Sequence, residues 1–177
     1  MTASNPPDFP TLYRSEFAYV WKTLRRLGAP ARDLEDLAHD LFVVVYRHLL
    51  AYDPSRPLRP WLFGIAVRIL SDYHRTFRNS RELLQPSSSA GEAIDGDTLQ
   101  DEKVAGAEAR ALLMKALDVL DFDRRVVLVM HDLDEVAMPE IAAILKIPLN
   151  TAYSRLRLAR ADVADAVKLY REREGAA

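Results

Sequence analysis

Pro139-Glu140-Ile141-Ala142-Ala143-Ile144-Leu145-Lys146-Ile147-Pro148-Leu149-Asn150-Thr151-Ala152-Tyr153-Ser154-Arg155-Leu156-Arg157-Leu158-Ala159-Arg160 decides the fold of the C-terminal part of this chain. Ile141, Ala142, Leu145 and Ile147 supply the packed side of a first helix and a turn. Pro148 cannot continue that helix and disfavours helical geometry at Ile147. Asn150 or Thr151 can then cap a second helix. The second helix carries Arg155, Arg157 and Arg160, with no acidic residue before Asp162. Helix, short turn and basic helix is the layout of a helix-turn-helix, whose second helix enters the major groove of DNA. Lys146 stands where a residue tolerant of positive φ, such as Gly, is expected. The turn is therefore either strained or differently shaped.

Working outward, the remaining sequence is helical in pattern. Phe17, Val20, Trp21, Leu24 and Leu27 recur at spacings of three and four, one face of a helix closed by Gly28 and Pro30. Leu34, Leu37, Leu41, Val44, Val45 and Leu49 mark a second, with Asp33 as its expected N-cap. A proline-rich loop, Asp53 to Pro60, precedes a third helix starting at about Trp61, whose apolar face is Leu62, Ile65, Ala66, Ile69, Leu70, Tyr73 and Phe77. Ala109 to Leu120 and Val126 to Leu133 predict two more before the helix-turn-helix. No strand-like alternation persists, and Gly is scarce, at 6 residues in 177. The fold class expected is all-α, with two small helical domains. Residues 1–10 read as a disordered tail, 11–79 as the first domain, 80–105 as a flexible acidic linker and 106–173 as the second domain.

Composition narrows the function classes. There is no cysteine, so disulfides, thiolate metal sites and cysteine nucleophiles are excluded. No apolar run approaches a membrane span, and the polar, proline-rich start lacks the features of a secretory signal. A cytoplasmic protein with no membrane insertion is expected. The net charge of −2 is unusual for a nucleic-acid binder, but the charge is segregated. Arg56, Arg59, Arg68, Arg75, Arg78 and Arg81 face only Asp53 and Asp72 between positions 53 and 81, while acid collects at 33–40 and 92–102. Charge segregated in this way suggests separate surfaces for separate partners, while any single run taken alone reads better as a solvated helix face.

With both blocks in view, the chain resembles bacterial RNA polymerase sigma factors of the extracytoplasmic-function (ECF) group. Leu120 to Leu133, Glu140-Ile141-Ala142 and the run Thr151 to Arg160 are similar to that family's fourth region. Asp33-Leu34-Glu35-Asp36-Leu37 with Phe42 and Tyr46 is similar to its second-region docking helix. Leu58 to Ala66 with Asp72 and Arg75 is similar to the segment that opens the −10 element. The resemblance implies core RNA polymerase binding by Asp33, Glu35, Asp36, His39, Asp40, Val43 and Arg47. It implies −10 binding by Arg56, Arg59, Trp61, Phe63, Arg68, His74 and Arg75, where arginines meet phosphates and aromatic rings receive unstacked bases. Tyr73 is a further ring candidate. It implies −35 binding by Asn150, Thr151, Tyr153, Ser154, Arg155, Arg157 and Arg160. Promoter DNA, core RNA polymerase and an anti-sigma factor are the implied partners, and no cofactor or metal is expected.

The departures from the family pattern are specific. Gly64, Val67 and Arg68 stand where Arg, Arg and Asn are usual. Glu135, Lys146 and Asn150 stand where Gly is usual, Tyr153 where Lys is frequent, and Ala137 where a hydroxyl caps a helix. Two other classes compete. A stand-alone helix-turn-helix regulator predicts duplex binding without polymerase. A phosphohydrolase built on His39-Asp40 needs further ligands that His48, His74 and His131 do not supply from their scattered contexts. No catalytic residues are expected.

Overall fold

A computed structural model describes residues 8–83 and 104–174. Seven α-helices appear among them: α1 (Phe9–Arg26), α2 (Leu34–His48), α3 (Leu58–Leu83), α4 (Val104–Asp118), α5 (Phe122–Leu128), α6 (Met138–Leu145) and α7 (Leu149–Glu174). No strand occurs among the described residues, so the all-α expectation holds. The chain forms two compact units, Met1–Ala93 and Ile94–Ala177. None of these helices is long and apolar enough to cross a membrane.

The first unit packs α1, α2 and α3 around Leu12, Val20, Leu24, Leu41, Val45, Leu62, Phe63 and Leu70. Aromatic rings seal one side, with Tyr13 and Phe42 centred 4.6 Å apart and Phe17 stacked on Phe42 at 6.2 Å. α1 begins inside the expected tail. Asp8 caps it by accepting from the Thr11 amide, and Pro10 fits the first turn, where its missing N–H costs nothing. Residues 1–7 of that tail lie outside the described residues. α3 likewise begins at Leu58, three residues ahead of Trp61, with Pro60 in its first turn. Most of the expected linker lies outside the described residues, but its ends, 80–83 and 104–105, are helical.

In the second unit, α5 and α7 make the central pairing, and α4 and α6 close on α7. Val127, Val129, Met130, Ile141, Ala152 and Ala159 are fully buried there. α5 runs on into a single π-helical turn, Val129–Leu133. Arg125 is almost entirely buried. Its Nε donates to the Leu117 carbonyl at 2.8 Å and its guanidinium pairs with Asp118, so it satisfies the C-terminal end of α4.

Two helix ends in different units show the same closure with different residues. After α1, Ala29 donates to the Leu24 carbonyl and Gly28 to Arg25, with Gly28 at φ 94°. After α6, Ile147 donates to Ala142 and Lys146 to Ala143, with Lys146 at φ 54°. Both are Schellman closures, which need a left-handed residue. Lys146 occupies that region against its Cβ, at a cost of roughly 1–2 kcal/mol. The strained alternative for this turn is therefore the one realised, and Glu135 is in the same state at φ 56°. Ala137 sits at the N-cap of α6 without a side-chain cap bond, as expected. Lys146→Gly should stabilise this unit by about 0.5–1 kcal/mol and Ala137→Ser by about 1 kcal/mol. Hydrogen-exchange protection of the α6 amides measures both, and unchanged protection contradicts them.

Candidate nucleic-acid interface

α7 starts at Leu149 rather than at Asn150 or Thr151. The Pro148 carbonyl accepts the first helical bond, from Ala152 at 3.1 Å. Asn150 and Thr151 therefore lie in the first turn instead of capping it. The buried side of α7 is Ala152, Leu156, Ala159 and Ala166. Asn150, Tyr153, Ser154 and Arg157 are exposed at spacings of three, four and seven, so they share the opposite face, while Thr151 is half-buried. Tyr153 is half in solvent.

The three arginines of this helix are not equivalent. Arg155 pairs with Asp123 at 2.5 Å and is largely withdrawn from solvent. Arg160 forms a two-bond fork with Asp132, Nε to Oδ2 at 2.9 Å and Nη2 to Oδ1 at 2.6 Å. That fork holds the Asp132 carboxyl below the usual range and raises Arg160. His131 adds a contact to Asp132 at 2.7 Å. Arg157 is exposed and makes no ion pair or side-chain hydrogen bond among the described residues.

On α3, Trp61, Gly64, Arg68 and Arg75 fall on one stripe, at spacings of three, four and seven. Trp61 is half-buried against Tyr52, ring centroids 4.9 Å apart. Arg68 is exposed without an ion pair among the described residues, and Arg75 pairs with Asp72 at 3.0 Å. Arg59 reaches back to Glu16 at 3.2 Å and lies over the Tyr19 ring, and exposed Arg56 is 3.7 Å from Asp53. His74 meets Tyr73 edge-on. Phe63 is a correction. It has no exposure, because it shares a face with Ala66 and Leu70 and points into the core, so it offers no ring to a base.

On α2, Asp36, His39, Asp40 and Arg47 are exposed with Val43 half-buried between them, in one continuous stripe. Glu35 is exposed about 100° around the helix from Asp36. Asp33 occupies the N-cap position but makes no cap bond. It accepts from the Tyr73 hydroxyl at 2.6 Å and from Arg32 at 3.2 Å, which lowers its carboxyl. Burial, with Asp33 next, raises the Tyr73 phenol. Asp33 therefore ties α2 to α3 instead of standing on the α2 stripe. Sequence reasoning missed Leu50, which is 93% exposed in the short 3-10 turn Leu49–Ala51 that follows α2. Phe42, by contrast, is core.

A helix-turn-helix unit and a second helical unit with an arginine-and-tryptophan stripe define a two-part DNA-binding factor. A family model for sigma-70 region 2 matches residues 12–80, and one for sigma-70 region 4 matches residues 110–163. The RNA polymerase sigma factor CnrH of Cupriavidus metallidurans is 32% identical over 146 residues, covering 79% of this chain and 76% of that protein. The ECF RNA polymerase sigma-E factor of Escherichia coli is 25% identical over 150 residues, covering 78% and 76%. Among solved structures, the sigma factor RpoE bound to the anti-sigma factor NepR from Bartonella quintana shares the fold at TM-score 0.67 and 18% identity, covering 91% of this chain and 97% of that one. CnrH bound to the cytosolic domain of CnrY does so at TM-score 0.62 and 24% identity, covering 91% and 88%. The chain belongs to the sigma-70 family of RNA polymerase sigma factors, in its ECF group. It directs core RNA polymerase to specific promoters.

Proposed function

We propose that the two units divide promoter recognition as follows. The α2 stripe Asp36, His39, Asp40, Val43 and Arg47 docks on core RNA polymerase, with Glu35 at its edge. The α3 stripe engages the −10 element, with Arg56, Arg59, Arg68 and Arg75 on phosphates and Trp61 and His74 beside unstacked bases. Gly64 leaves room between Trp61 and Arg68 on that stripe. The exposed face of α7 reads the −35 element. The acidic stretch 92–102, outside the described residues, lies in a positively charged channel of the polymerase. The protein acts in the cytoplasm, without catalysis of its own and without a cofactor. An anti-sigma protein holds it inactive, as NepR and CnrY accompany the two solved relatives.

The observation that carries this reading is the two-sided character of α7. Its apolar side is locked into its own unit, and its polar side, centred on Arg157, is left open. Opening DNA costs a few kcal/mol for each unstacked step, which suits a factor that works only within the larger enzyme. A stand-alone regulator is not favoured by the family membership.

Trp61→Ala separates the −10 role from a purely structural one. Base stacking on an aromatic ring contributes roughly 1–3 kcal/mol. Permanganate reactivity of −10 thymines in the holoenzyme complex should fall about tenfold or more, while protection of the −35 segment persists. Full reactivity in the variant removes Trp61 from the −10 surface.

A further inference from the structure

Arg157 and Arg160 lie one turn apart on α7, yet their surroundings suit them to different targets. Arg157 stands in line with Asn150 and Tyr153, at the centre of the exposed face, and no group among the described residues takes a donor of its guanidinium. Reading guanine requires two adjacent donors aimed at O6 and N7, and Arg157 has them. Arg160 lies on the flank towards the π-helical turn. Asp132 accepts from its Nε and Nη2, His131 Nδ1 lies 3.4 Å from that same Nη2, and the side chain is still 54% exposed. Only the outer edge of that guanidinium remains, and it points in one fixed direction. A fixed donor edge suits a phosphate, whose place on the duplex does not depend on the base sequence. Arg155, turned to Asp123, has no such open edge towards the exposed face.

We infer that base reading by α7 rests on Arg157, while Asp132 is a positioning residue that holds Arg160 as a phosphate clamp. This deepens the −35 reading proposed above and rests on it. Asp132 contacts no DNA in this account. It sets the orientation of the group that does, and the π-helical turn is the element that carries it towards α7. Arg155 is withdrawn from the set of DNA contacts and becomes a tie between α7 and the first turn of α5.

The test uses holoenzyme reconstituted from the full chain and core polymerase, and a pool of promoter duplexes with a randomised −35 segment. Arg157→Ala should flatten the preference at one or two adjacent base pairs. Arg160→Ala should keep the selected sequence, lower affinity evenly by roughly three- to tenfold and reduce the salt slope by about one. In an Asp132→Ala background the Arg160→Ala effect should shrink to less than about twofold, since the two act as one unit. Asp132→Asn, with its shape kept, and thermal melting of each variant separate this from unfolding. The inference is overturned if Arg160→Ala changes base preference, if Arg157→Ala weakens all duplexes evenly, or if the two effects at Asp132 and Arg160 simply add. If the unsubstituted holoenzyme enriches no sequence at all, the −35 reading of α7 fails and the partition falls with it.

Discussion

Reversing both charges of Asp36 and Asp40 to lysine should weaken association with core RNA polymerase about a hundredfold or more. The two carboxylates lie on the exposed stripe of α2, one turn apart, with His39 and Val43 beside them. Reversing a charge at a complementary interface removes an attraction and installs a repulsion, and wrong-sign juxtaposition costs several kcal/mol. Two such reversals correspond to two or more decades of affinity. The penalty to the helix itself is small. Asp36 lies in the first turn of α2, where the helix dipole favours acid by about 0.3–1 kcal/mol. Both tryptophans, Trp21 and Trp61, lie in this unit, so intrinsic fluorescence reports its folding during the same experiment. Glu35→Lys, off the stripe, should cost much less. Unchanged binding of the doubly reversed protein places the docking face elsewhere.

Arg125→Ala should destabilise the second unit by about 2–4 kcal/mol. The side chain is buried and joins the end of α4 to α5 through the Leu117 carbonyl and Asp118. Truncation loses two hydrogen bonds made by a charged donor and leaves a cavity the length of the arginine stem. The Leu117 carbonyl then keeps only the 3.1 Å bond from the Leu120 amide. Arg125→Met restores the packing of the stem but not the hydrogen bonds, and should recover about half of the loss. Urea unfolding followed by far-UV dichroism reports both helical units together, and tryptophan fluorescence, which reports the first unit alone and should be unchanged, assigns the lost stability to the second. A loss below about 1 kcal/mol contradicts a structural role for Arg125.

The helix-turn-helix was legible because its signals are local. Pro148, the apolar spacing of Ile141, Ala142 and Leu145, and the basic run after Thr151 all lie within one short window. The misfit of Lys146 was legible for the same reason, and the structure puts it in the left-handed region that the position demands. Errors arose where a distant partner overrides a local preference. Asp33 has the chemistry of an N-cap, but Tyr73, 40 residues later, takes its carboxylate. Arg155 and Arg160 read as equally open cations, because their partners Asp123 and Asp132 lie 32 and 28 residues upstream with nothing local to announce the pairing. Phe63 was separable in principle. Its spacing to Ala66 and Leu70 is the core period of α3, and Trp61 and Arg68 already define the other side. The early start of α1 has a local cause too, since Asp8 before a proline-containing first turn is a start signal.

The most direct measurement is multi-round transcription from genomic fragments with core RNA polymerase, run with and without this protein. Transcripts that begin at defined sites only when the protein is added, from templates sharing −35 and −10 sequences, are the predicted result. No stimulation of core polymerase, together with tight duplex binding by the protein alone, would contradict the account and identify a stand-alone regulator.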